Sequence, residues 1–130
     1  MDTTIWITSG KALINEIQTY QQLEVRNDLL QEVVAQLNKD FGSNLIDIQW
    51  DSDKHNPYHD FIFQVKRELG RLLKSEKSTL MSILYRVDVF ESKLRVVWTL
   101  DHEDQIKKLT ELILNRELQK VLTRKLHNQK

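Results

Sequence analysis

NPYHDFIFQVKRELGRLLKS, residues 56–75, is the stretch whose pattern decides the fold. Asn56 suits an N-cap, because its side-chain oxygen can accept an orphan backbone N–H of the first turn. Pro57 follows at the first helical position, where a missing N–H costs nothing and a fixed φ helps. Tyr58, Phe61, Ile62, Val65, Leu69, Leu72 and Leu73 then recur at three- and four-residue spacing, which places them on one stripe of a helix. Arg67, Arg71 and Lys74 fall on the opposite side. Phe63 and Gly70, seven residues apart on one flank, read either as a second contact face or as a single exposed Phe.

Outward from this helix the chain continues as helix. Toward the N-terminus, Leu29, Leu30, Val33, Val34, Leu37 and Phe41 form a stripe that Gly42 is placed to end. An earlier stripe, Leu13, Ile14, Ile17 and Tyr20, does not share its face, so a break is expected around Gln21 and Gln22. Toward the C-terminus, Leu80, Ile83, Leu84 and Val87 predict a helix capped by Ser75 or Ser78. Asp88 and Glu91 have capping-box spacing and predict a short helix through Leu94, Val97 and Trp98. The rival reading pairs LYRVDVF with KLRVVWTL as a hairpin, but Glu91-Ser92 is a poor two-residue turn. Asp101, with Glu103 and Asp104 behind it, opens the last helix with charges that suit its dipole.

The expectation is therefore an all-α bundle of four to five helices, at about 11–41, 56–74, 77–87 and 102–127 with the short one between the last two. Short extended segments fit 3–8, TTIWIT, and 45–50, LIDIQW. One domain of 130 residues is expected, with 1–20 as an N-terminal arm. With 40% hydrophobic and 29% charged residues the chain can build a core, and three Gly and one Pro leave little material for a turn-rich β fold. No Cys is present, which excludes disulfide frameworks, Cys-based zinc sites and a Cys nucleophile. The sequence shows neither a signal peptide nor a membrane-length apolar run, and a cytoplasmic protein is expected.

Formal charge is zero overall but unevenly placed. Residues 1–60 hold ten Asp/Glu against four Lys/Arg, and residues 61–130 hold nine against fifteen. Either the later half carries a basic binding surface or an acidic helix lies against basic ones. Arg67, Arg71, Lys74 and Lys77 are the cations a nucleic-acid reading would use, with Lys120, Arg124, Lys125 and Lys130 behind them. A sequence pI near 6.9 argues against a dedicated nucleic-acid binder.

Two further groups invite a functional reading. Asp51, Asp53, His55, His59 and Asp60 crowd within ten residues, and imidazole with carboxylate suits a transition metal. The spacing matches no calcium loop, and Asn56-Pro57 starts the helix between the two His, so a capping loop explains them better and no cofactor is expected. The last helix is the second group. Its stripe begins as Ile106, Leu109, Leu112 and Ile113 and moves round to Leu114, Leu118, Val121 and Leu122, with Arg116 and Glu117, an expected ion pair, in between. A stripe that changes face predicts two neighbours, one of which can be a second copy of the chain. Leu114, Leu118 and Val121, with Ile14, Ile17 and Tyr20 of the arm, are the expected interface, in cis or in trans. No activated nucleophile, P-loop or dinucleotide turn is present. The function expected is a non-catalytic protein–protein interaction or assembly module that forms homo-oligomers. A nucleic-acid-binding adaptor comes second and a metal-dependent enzyme third.

Overall fold

The computed structural model describes residues 19–42 and 46–128. The chain runs as a 3-10 helix (Tyr20–Val25), then α1 (Asn27–Phe41), α2 (Pro57–Ser75), α3 (Lys77–Val87), α4 (Glu91–Val97) and α5 (His102–Asn128). There is no strand among the described residues. The helices form a bundle around a single buried cluster that draws on every one of them.

The stripe of α2 is buried as its spacing implies: Tyr58, Phe61, Val65, Leu69, Leu72 and Leu73 lie inside, Ile62 packs at the edge, and Arg67, Arg71 and Lys74 face out. Asn56 caps it, its Oδ1 accepting the His59 N–H at 3.2 Å. Gln21 and Gln22, where a break is expected, lie inside the 3-10 helix, residues 11–18 of the expected first helix lie outside the described residues, and the break in the described part falls at Arg26. Arg26, at φ −130° and ψ 76°, leaves helical space, so the 3-10 turn ends there and α1 starts afresh. At the far end Gly42 stops α1 with φ +82°, where a Cβ would also meet the Arg86 guanidinium at 3.3 Å.

The region 84–100 is helix–corner–helix, which removes the hairpin. The caps differ from expectation. Glu76, not Ser75 or Ser78, precedes α3. Asp88 does not cap α4: it closes α3 in the left-handed region at φ 70°, and Phe90 precedes α4. Asp tolerates that conformation, and Arg116 of α5 holds it from outside, Nε donating to the Asp88 carbonyl at 3.1 Å and Nη2 to Oδ2 at 3.2 Å. Arg116 is thus paired with Asp88 and not with Glu117. Asp101 caps α5 as expected, accepting the Asp104 N–H at 2.9 Å.

Residues 46–50 are extended without a strand partner, which would leave buried backbone groups unsatisfied. Two side-chain amides supply the partners. Asn38 of α1 donates Nδ2–H to the Ile48 carbonyl and accepts the Ile48 N–H, both at 2.8 Å. Gln64 of α2 accepts the Gln49 N–H at 2.8 Å and donates to its carbonyl at 2.9 Å. Clamped in this way, the connector drops Ile46 and Ile48 into the core and rests Trp50 on its edge.

At 27 residues α5 is about 40 Å long, longer than any helix beside it, and it touches α1, α2, α3, α4 and the 3-10 turn. Its first half meets α2, where a Cβ on Gly70 would lie 3.2 Å from Ile106 Cδ1. Its second half runs antiparallel to α1, as successive pairs show: Asp40 with Lys120, Gln36 with Arg124, Glu32 with Lys125. The moving stripe is therefore covered inside one chain. Leu114, Leu118 and Val121 are buried in the core, so they are not an exposed interface, and the two faces belong to two intramolecular neighbours. Two of these pairs, Asp40–Lys120 and Glu32–Lys125, are ion pairs that set acidic side chains of α1 on the basic end of α5 and take up part of the uneven charge.

Candidate interaction surface

The cations of α2 are largely spoken for. Arg71 bonds Glu68 at 3.1 Å and also Glu76, while Arg67 lies 3.7 Å from Glu68 and 5.7 Å over the Phe63 ring. Lys74 and Lys77 are exposed. Phe63 and Gly70 do not make a joint face, because the open side of Gly70 is taken by Ile106. Of the second basic group, Lys120, Arg124 and Lys125 bond side chains of α1, Arg124 at the surface, and Lys130 lies outside the described residues.

The histidine–aspartate loop does not converge. Asp51 accepts the Asp53 backbone N–H at 2.9 Å, His59 Nε2 lies 2.9 Å from Glu24 Oε2, and Asp60 takes a 2.9 Å bond from Gln64. Among the described residues no three His, Asp or Glu side chains gather as a metal set. Of the expected arm interface, Ile14 and Ile17 lie outside the described residues; Tyr20 is buried, its N–H bonded to Asn115 Oδ1 at 2.8 Å.

One interior group escaped the sequence. Glu117 is 0% exposed, and neither of its carboxylate oxygens has a hydrogen-bond partner. Lys120 Nζ approaches Oε1 to 3.3 Å, but the same ammonium is committed to Asp40 Oδ2 at 2.7 Å. Burial, with the Asp40 carboxylate adding to it and Lys120 opposing, pushes the Glu117 carboxyl up to about 8. Asp40 goes the other way. Burial works to raise it, but bonds from Lys120 and Gln36, with the neutral Glu117 carboxyl beside it, outweigh that and hold it below the usual range. A protonated Glu117 beside an ionised Asp40–Lys120 pair balances the charge of the triad. Arg86 closes the outer side by donating to the Asp40 carbonyl at 2.6 Å. This is a structural knot joining α1, α3 and α5, with Glu117 closed off from solvent at its centre and Lys120 half-buried at its edge.

The surface that stands out is apolar. Met81 and Tyr85, one turn apart on α3, are 47% and 87% exposed, and Trp98, at the end of α4, is 41% exposed. Met81 and Trp98 face each other across a cavity of about 360 Å³ floored by Leu73 and Leu80, with Lys77 and Gln105 at its rim. Helix α4 has only seven residues and spends Leu94 and Val97 on the core, which leaves its remaining apolar side chains on its flanks. Sequence reasoning had put Trp98 in the stripe with Leu94 and Val97. The i+4 spacing of Met81 and Tyr85, off the Leu80–Leu84 stripe, was the available signal. Comparison of the chain with family models, with curated proteins and with solved structures gives no match.

Proposed function

We propose that this chain is a non-catalytic protein–protein interaction module that associates with a second copy of itself through the α3–α4 surface. The observation that carries the reading is the exposure of Met81 and Trp98 on the walls of one apolar cleft, with Tyr85 exposed one turn along α3 from Met81. Met and aromatic residues are the types enriched at the centres of protein interfaces. A second copy is favoured over a charged partner because the formal charge is zero and the sequence pI is near 6.9. Two copies at neutral pH meet without long-range repulsion. In a two-fold pair the same patch serves both chains, Trp98 of each seated in the cleft of the other. A cysteine-free chain with this neutral surface is suited to the reducing cytoplasm.

Light scattering coupled to size exclusion, over a hundredfold dilution from about 100 μM, tests the proposal. A dimer that dissociates on dilution is expected, and Trp98→Asp or Tyr85→Asp should leave a folded monomer. These side chains are exposed, so loss of the fold is not a competing outcome. A wild-type monomer at every concentration sinks the proposal, as does a dimer indifferent to both substitutions.

A further inference from the structure

One ammonium holds the knot around Glu117 together. Lys120 Nζ donates to Asp40 Oδ2 at 2.7 Å and to the Arg86 carbonyl at 3.2 Å, and lies 3.3 Å from Glu117 Oε1. Besides that ammonium, the Asp40 carboxylate has a 3.2 Å bond from the Gln36 amide. The charged groups that face Glu117 are Asp40 from α1 and Lys120 from α5, with Arg86 from α3 behind them, donating to the Asp40 carbonyl. Among the described residues, α2, α4 and the 3-10 turn bring no charged side chain into the bonds and ion pairs of this cluster. With Glu117 neutral, one cation serves one carboxylate. With Glu117 ionised, two carboxylates share one cation, in a place where neither oxygen of Glu117 meets another donor. A buried charge without full pairing is costly, and water is the remaining source of donors.

The geometry also says where water would enter. The side chains of Asp40 and Lys120 are 12% and 20% exposed, against 0% for Glu117. The short way to solvent therefore runs past the end of α1. That end is also the part most easily moved. Helix α5 is packed against α1, α2, α3, α4 and the 3-10 turn along its length, whereas α1 stops at Gly42. Besides the burial of Leu37 and Phe41, its last turn is held by Lys120 and by Arg86, which donates to the Asp40 and Phe41 carbonyls at 2.6 and 3.3 Å. The same turn carries Asn38, which makes both bonds to Ile48, so its release also slackens the clamp on the 46–50 connector. We infer that Glu117, Lys120 and Asp40 form a proton-operated latch: losing the Glu117 proton frees the last turn of α1 and the connector tied to it, while the rest of the bundle stays folded. The closed form keeps the proton more tightly than the open one, so rising pH favours opening. A carboxyl held up to about 8 places the change in the neutral to mildly alkaline range.

Hydrogen exchange tests the latch, read by mass spectrometry on overlapping peptides and corrected for the intrinsic rate, on wild type and Glu117→Gln at pH 5 and pH 8. In the wild type, protection of residues 38–41 and 46–50 should fall at least tenfold from pH 5 to pH 8. In Glu117→Gln, which has no proton to lose at this position, it should change less than twofold. Whole-chain unfolding would also lower protection, so the wild type is measured again at pH 8 in 1 M urea. Exchange that needs global unfolding should speed up about tenfold there, as at residues 62–70 in the centre of α2. A local opening exposes little surface, and residues 38–41 should change less than twofold. Asp40→Asn leaves Lys120 to Glu117 alone and should shrink the fall with pH at least threefold. The inference is overturned by Glu117→Gln losing protection as the wild type does, or by residues 38–41 responding to urea as steeply as α2. A response to pH left intact by Asp40→Asn overturns it too, because the division of one ammonium would then not be the cause.

Discussion

Replacing Glu117 by Gln should make the protein more stable, and by an amount that depends on pH in a defined way. In the folded chain the Glu117 carboxyl is held up at about 8, against an ordinary value of 4.5. A group raised on folding gives stability that is fully present below its unfolded value and lost as pH climbs through its folded value. The window is therefore pH 4.5 to about 8. Within it the unfolded chain releases a proton that the folded chain keeps, and each unit of pH costs about 1.4 kcal/mol. The whole window amounts to at most about 5 kcal/mol, and about 3 kcal/mol has gone by pH 7. That is a large share of the roughly 5–15 kcal/mol a domain normally has. Gln has nearly the same shape as the protonated acid and no proton to lose. Urea unfolding of wild type and Glu117→Gln, followed by circular dichroism from pH 4 to 9, isolates this group because every other titration is shared. The two stabilities should nearly coincide at pH 4 and separate steadily to pH 8, with the variant above, then run parallel. Asp40 does not confuse the reading. Its depressed carboxyl gives stability that is lost as pH falls below the ordinary 3.8, outside the window. A difference that stays constant from pH 4 to 9, or a variant weaker than wild type at pH 8, would refute the assignment of a neutral, buried Glu117.

Other substitutions test the packing. Asn38→Ala removes both bonds to Ile48 and leaves its buried N–H and carbonyl unpaired; the loss should be about 1–3 kcal/mol by chemical denaturation. Gly70→Ala should stabilise α2 by up to about 1 kcal/mol, since the new methyl meets only the end of one flexible side chain, Ile106 Cδ1 at 3.2 Å, which has to give by a few tenths of an ångström, whereas Gly70→Phe should lower the melting temperature by driving α5 away. Leu118→Asp should unfold the chain rather than split an oligomer, because Leu118 is buried in the core; a folded, helical Leu118→Asp variant would contradict the packing of α5.

How much of this was legible in the sequence follows from the range of each interaction. The helices could be read because their causes are local. Asn56-Pro57 starts α2, Gly42 ends α1, and Asp101 caps α5, each acting within a turn of itself. The failures have distant causes. Asp88 and Glu91 have the spacing of a capping box, but Arg116, from α5, holds Asp88 in a left-handed C-cap instead. The segment 45–50 alternates like a strand, but its partners are two amides, Asn38 and Gln64, that no strand pattern reveals. Glu117 looked like half of an Arg116–Glu117 pair, although neighbours on a helix point about 100° apart and cannot easily bond each other. What buries it is α1, whose approach depends on the whole bundle.

The stripe of α5 shows why an unmatched pattern is weak grounds for placing an interface. A face that shifts along a helix requires a change of neighbour, and the sequence cannot say whether that neighbour is in the same chain. Length decides it here. At about 40 Å, α5 outruns α2 and α1 taken singly, so α2 can cover one end and α1 the other, and both faces are buried without a second copy. Association then has to be sought where apolar side chains remain exposed after this packing is complete. Apart from Val25 and Phe63, which stand elsewhere, those among the described residues are Met81 and Tyr85 of α3 with Trp98 at the end of α4, and Phe90 and Val96 on the α5 side of α4. A seven-residue helix turns only two residues inward, so its flanks stay apolar unless something else covers them. The two flanks face different demands. The α5 side lies beside Tyr20, held there through Asn115, and the α3 side is the one through which we propose that the chain associates.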